Sequence, residues 1–172
     1  MARMRVADFM ALIEEGTLAA LPAELRESCV HRVRFVWFQV HFHSPKVHYE
    51  VCLTRKTERI EIGLHFEGPR DFSYRWAELI APHMAEIQAG MDASWELEEW
   101  TASWTRLHTT IPYDPPSPGL AAEIAETLAR LITVCQPVIE RERENVPAGL
   151  EAEAPKKHGR GRFERRRQKA WA

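Results

Sequence analysis

No stretch of the chain approaches the roughly 18 to 20 consecutive apolar residues that span a bilayer. The opening Met1-Ala-Arg-Met-Arg-Val-Ala-Asp also lacks the apolar centre of a secretory signal. Cysteine is scarce. Cys29, Cys52 and Cys135 are an odd, scattered set without Cys-x-x-Cys spacing, which argues against a disulfide framework and leads to the expectation of a reducing cytoplasm and no membrane partner. The Gly-x-Ser-x-Gly elbow, the Walker loop, His-Glu-x-x-His and the dinucleotide fingerprint are all missing, so the common signatures of acyl transfer, nucleotide and zinc-protease chemistry are excluded. Glu50-Val-Cys and Glu61-Ile-Gly lack the lysine of a restriction-type Glu-x-Lys pair. What is present is ordinary in bulk: 172 residues, 45% hydrophobic and 28% charged, enough for one globular core without staples.

Charge is distributed unevenly. Of 23 Lys and Arg, eight fall in residues 156–172, but only one of 25 acids does (Glu164), so that segment carries +7. Residues 1–155 keep 15 bases against 24 acids, a net of -9. Charge segregated at one end of a chain marks an interaction arm. The candidate phosphate contacts are Lys156, Lys157, Arg160, Arg162, Arg165, Arg166, Arg167 and Lys169. Contacts of that kind release counterions and carry little sequence preference. DNA or RNA, a protein partner and a second copy of the chain are the partner classes this leaves open. The expected organisation is one domain over 1–145, its first 29 residues helical, then a linker over 146–155 and a flexible basic tail over 156–172.

Periodicity divides that domain. Val6, Phe9, Met10 and Ile13 have helical spacing up to Gly16, and a short helix is expected from Pro22 to about Ser28. From Val33 the period drops to two. Val36, Phe38, Val40 and Phe42, then Val47, Tyr49, Val51 and Leu53, then Ile60, Ile62, Leu64 and Phe66 alternate with polar residues, as in an antiparallel meander with one buried face. Phe72, Trp76, Leu79, Ile80, Met84 and Ile87 form a helical stripe that Pro82 should kink or split. Trp95 to Ile111 reads as one bent strand or as a hairpin turning at Thr101-Ala102-Ser103. Ser117 and Pro118 open a long helix bearing Leu120, Ile124, Leu128, Leu131, Cys135 and Val138, with a kink expected at Pro137. The fold class is α+β: an antiparallel meander of four to five strands with helices packed on one face.

The polar side of that meander carries histidine. Pairing Phe42 with Val47 sets His41 across from His48, and pairing Leu53 with Ile60 sets His48 across from His65. With Glu50 and Glu61 nearby, His41, His48 and His65 are candidate ligands for Zn²⁺ or another borderline metal. An ordinary solvated sheet face is the competing reading. Trp37 shares that face and is a candidate stacking platform, whereas Trp76 belongs to the core stripe.

Ile60-Glu-Ile-Gly-Leu-His-Phe-Glu67, a helix ending near Glu86-Ile87, then Trp95-Glu-Leu-Glu-Glu-Trp100 and Trp104-Thr-Arg-Leu107 form a single pattern. It resembles an uncharacterised prokaryotic α+β domain often found C-terminal to restriction-type nuclease modules. The resemblance implies an accessory domain in a nucleic-acid context, without assigned chemistry and with no catalytic residue to carry over. The leading expectation is therefore a non-catalytic macromolecule-binding module, nucleic-acid-associated through its basic tail and needing no cofactor. The alternatives are a small metal-dependent hydrolase with its site on the histidine face, and a homodimeric interaction protein.

Overall fold

The computed structural model describes residues 4–54 and 57–152. The element order is α1 (Val6–Ala20), α2 (Ala23–Ser28), β1 (Val30–Arg34), β2 (Trp37–His41), β3 (Val47–Thr54), β4 (Arg59–Phe66), α3 (Arg70–Ile80), α4 (Met84–Gly90), β5 (Glu96–Glu99), β6 (Thr105–Pro112), α5 (Pro118–Glu142) and α6 (Ala148–Ala152). The strands form one six-stranded antiparallel sheet in the order β1-β2-β3-β4-β6-β5. It is a meander as far as β4; β6 then pairs with β4 and leaves β5 at the edge. The α+β class holds, with six strands where the sequence pattern predicts four or five.

The extra strand comes from the run beginning at Val33. It breaks at Phe35 and Val36 into the β1–β2 hairpin. Phe35 takes a φ of 47° there, a left-handed conformation normally left to Gly or Asn. No turn-forming residue marks the break. The hairpin reading of Trp95–Ile111 is the one the chain adopts, with Thr101 Oγ1 accepting from the Ser103 and Trp104 amides in the turn.

One sheet face is apolar because the side-chain period is two. Phe38, Val40, Tyr49, Val51, Ile60, Ile62, Leu64, Phe66 and Leu107 all point to it and are buried. α5 lies across them, burying Ile124, Leu128, Leu131, Ile132, Cys135 and Val138. Its N-terminus is capped as expected: Ser117 accepts from the Leu120 amide. α5 runs to Glu142 through Pro137. Tyr49 donates its hydroxyl proton to Gln136 Oε1 at 2.9 Å, a buried polar tie between sheet and helix.

The helix boundaries differ from expectation in one place and agree in another. α1 does not stop at Gly16 but continues to Ala20. A Cβ at Gly16 would sit 2.8 Å from Ala125 Cβ, so this glycine lets α1 and α5 approach closely, and the absence of a side chain serves packing. Pro82 does split its helix, through a 3₁₀ turn over Ala81–His83 between α3 and α4. The expected linker is also corrected in part: Val146 and Leu150 pack against the core, and Leu150 lies within α6. The basic tail lies outside the described residues.

Candidate functional site

The opposite face of the sheet is polar, yet it is buried. Across the strands its side chains fall into rows. His48 lies opposite His65 and His65 opposite Arg106, with Glu98 opposite Arg106 at the edge. The next row runs Gln39, Glu50, Gly63, His108 and Glu96. The third holds Cys52, Glu61 and Thr110. Gln39, His48, Glu50, Glu61, His65 and His108 are each less than a tenth exposed. Polar groups shielded from water to that degree need partners, and here they find them mostly in one another.

His65 is the centre. It has no exposed surface, and its Nε2 lies 3.1 Å from Glu61 Oε1 while its Nδ1 lies 3.4 Å from Glu67 Oε1. Its ring stacks on that of His48 at 5.4 Å between centroids, and Trp100 meets it edge-on at 5.0 Å. Burial alone would favour the neutral imidazole, but the adjoining carboxylates of Glu61 and Glu67 and the nearby Glu50 outweigh it and push its pKa up to about 10. His65 is therefore an imidazolium at neutral pH.

Around it the carboxylates are held ionised. Glu50 would be pushed up by burial, yet the neighbouring His48, the charge of His65 and the Gln39 amide bring it down to about 2. Burial likewise opposes ionisation of Glu61, and His65 with Arg106 lowers it all the same. Arg106 spans two of the acids, donating to Glu61 at 2.7 Å and to Glu98 at 2.6 and 3.0 Å, with its guanidinium 5.2 Å from the Trp100 ring. His108 lies 2.9 Å from Glu98. Burial and the Arg106 charge keep it below its usual pKa.

A second chain of bonds fixes His48. Arg32 donates to Gln39 Oε1 at 2.8 and 3.1 Å, which turns the Gln39 amide toward Glu50 and toward His48 Nε2, 3.1 Å away. His48 Nδ1 is 2.9 Å from the Pro45 carbonyl. The proton therefore belongs on Nδ1, where it is donated to that carbonyl, and Nε2 accepts from Gln39.

Gly63 makes the arrangement possible. A Cβ there would stand 2.9 Å from His108 Cβ, 3.0 Å from the Leu107 carbonyl oxygen and 3.1 Å from His65 Nε2. With no side chain at this point, the His65 ring can lie over the strand and reach Glu61 four residues back. Strand alternation gives no hint of this role, because glycine in a strand usually marks only a bulge or a weak point.

Of the expected metal ligands, His48 and His65 stand face to face in the anticipated register. The β2–β3 ladder has the expected register too, but its paired residues end at Val40 and Tyr49, one short of His41. His41 is half-buried, with its pKa lowered by burial and by the neighbouring His48 and Arg32. Among the described residues, the histidine and carboxylate ligand atoms that converge to within 4.8 Å belong to His48, His65 and Glu67. Glu67 follows the last residue of β4, so alternation along the strand does not single it out. Trp37 is half-buried beneath the Arg32 guanidinium, 5.1 Å from its ring. The exposed aromatic is its hairpin neighbour Phe35, at 89% exposure. Lys156, Lys157, Arg160, Arg162, Arg165, Arg166, Arg167 and Lys169 lie outside the described residues. On the helical side, a separate cavity of about 240 Å³ is lined by Phe42, Val47, Trp76, Ile139 and Val146, with the exposed His43–Glu140–Arg143 ion pairs at its rim.

No protein-family model, curated protein or solved structure matches the chain.

Two outcomes follow from this geometry. Gly63→Ala should destabilise the protein by about 1–3 kcal/mol, the usual range for overpacking, measured by urea unfolding; an unchanged midpoint would show that the close approach is not needed. Stability should also pass through a maximum with pH. The Glu50 contribution is complete above its unfolded value near 4.5 and is lost as pH falls through about 2. The His65 contribution is complete below its unfolded value near 6.5 and is lost as pH rises through about 10. Denaturation midpoints should therefore peak between about pH 4.5 and 6.5, and His65→Gln should flatten the alkaline limb.

Proposed function

We propose that the protein is a cytoplasmic, non-catalytic macromolecule-binding module that engages nucleic acid through its basic C-terminal segment. The observation that carries this reading is charge segregation, +7 over residues 156–172 against -9 over the rest. A body of that sign gains nothing from approaching a polyanion, so the contact falls to the segment whose charge is opposite. The resemblance of residues 60–107 to a domain that accompanies nuclease modules agrees with such a setting. The three free thiols, Cys29, Cys52 and Cys135, suit a reducing compartment.

The β1–β2 hairpin supplies a second supporting feature. Arg32 and Arg34 are exposed, and Phe35 stands at the tip between them and Trp37. A left-handed conformation costs a bulky residue about 1–2 kcal/mol, and at 89% exposure packing does not repay it. An exposed aromatic ring on a hairpin that also carries exposed arginines is suited to stack on an unpaired base.

The test is fluorescence anisotropy of labelled single- and double-stranded oligonucleotides over a salt series, comparing the full chain with one ending at Pro155. Full-length binding should fall with a log–log slope of roughly -5 to -6, from about seven phosphate contacts at 0.7 to 0.9 each, and truncation should abolish it. Phe35→Asn, which relieves the backbone, should weaken single-strand binding selectively, by up to the roughly 1–3 kcal/mol of one stacked base. Equal affinity of the full and shortened chains would overturn the reading.

A further inference from the structure

Two buried histidines and a partly buried carboxylate converge on the polar face of the sheet. His48 comes from β3, His65 from β4, and Glu67 from the residue that follows β4, with ligand atoms all within 4.8 Å of one another. The two imidazoles are 3% and 0% exposed. A hydrophobic filling of the same sheet face is often as stable, since taking charges out of water is costly.

Hydrogen bonding leaves the cluster incomplete. Both nitrogens of His65 lie within ion-pair reach of a carboxylate, yet neither is aligned for a hydrogen bond, and Glu61 Oε1 and His108 Nδ1 are likewise without a hydrogen-bond partner. Four unsatisfied atoms in a shielded polar cluster are unusual, because buried polar atoms of this kind are nearly always bonded. The positions of the outer groups are informative as well. Glu61 faces Nε2 of His65 at 3.1 Å, leaving Nδ1 turned toward Glu67. A carboxylate behind one ring nitrogen with a second ligand in front of the other is the arrangement that orients a metal-bound histidine.

We propose that His48, His65 and Glu67 form a buried binding site for a divalent transition-metal ion of the zinc type. Two imidazoles select borderline metals over magnesium or calcium, which prefer all-oxygen shells. Zinc–ligand bonds of about 2.0–2.2 Å place tetrahedral ligands roughly 3.4 Å apart, so side-chain rotation draws the three groups inward. On coordination His65 loses the proton of Nδ1 to solvent, and His48 Nε2 exchanges the Gln39 amide for the ion while its Nδ1 keeps the Pro45 carbonyl. Relative to the expected set, Glu67 replaces His41.

Untagged full-length protein, stripped with a chelator and confirmed folded by circular dichroism, is titrated with Zn²⁺ in a calorimeter. One equivalent should bind. His48→Gln and Glu67→Gln should each abolish that equivalent, and Glu61→Gln should weaken it by about 10- to 100-fold. His83→Gln, at a histidine paired with Glu86 and Glu142, should leave it unchanged. Absence of zinc binding by the folded parent, or full affinity in both the His48 and Glu67 variants, would overturn the site. Should those variants fail to fold, Co²⁺ added to the unaltered chain decides the matter. Intense visible absorption of a four-coordinate ion supports the site, and a weak six-coordinate spectrum refutes it.

Discussion

His65 sits without solvent contact between the carboxylates of Glu61 and Glu67, and the polar half of the sheet is arranged around the charge it carries. An imidazolium so placed is tolerable only if its neighbours stay ionised. Those neighbours in turn need Arg106 and the Gln39 amide to hold them. Removing one member strands another: breaking a buried pair from one side costs about 3–5 kcal/mol. Glu50, Glu61, His65 and Arg106 therefore act as one unit, and their effects on substitution should not add.

The two faces of the sheet do different work. The apolar side, under α5 and α1, supplies the drive for folding, with buried side chains worth about 1.5–3 kcal/mol each. The polar side supplies little net stability and much specificity. A one-residue slip of β4 against β3 would turn Glu61 and His65 into the core and expose Ile60, Ile62 and Leu64, so the charged face sharpens the register that the apolar face already prefers. Trp100 and Arg106 add to that face a ring edge on His65 and a guanidinium over the indole.

Much of this is legible in the amino-acid sequence. Alternation from Val36 to Phe66 specifies which side chains share a face, and the short Ser44-Pro45-Lys46 connection leaves one sensible pairing, so the His48–His65 opposition follows from a period of two. The rest depends on groups outside the strand concerned. Glu67 lies past the end of β4, where alternation no longer assigns direction. Trp100 reaches His65 only because the β5–β6 hairpin adds to the far side of β4 through β6, a topology no local pattern encodes. Phe35 breaks a run of apolar alternation without any residue that favours a turn. Gly16 reads as a helix stop because glycine is a weak helix former, but its role is set by Ala125, more than a hundred residues away.

The buried polar face and the basic tail are best understood as separate solutions to separate electrostatic problems. Charges in the face are shielded from solvent, so ionic strength acts on them weakly. Charges in contact with solvent are screened far more, because the Debye length is about 8 Å at physiological salt. Glu50 and Glu61 are each 3% exposed and already committed to Gln39, His65 and Arg106. Their charges are therefore answered inside the sheet, and ionic strength should change the stability of this face little.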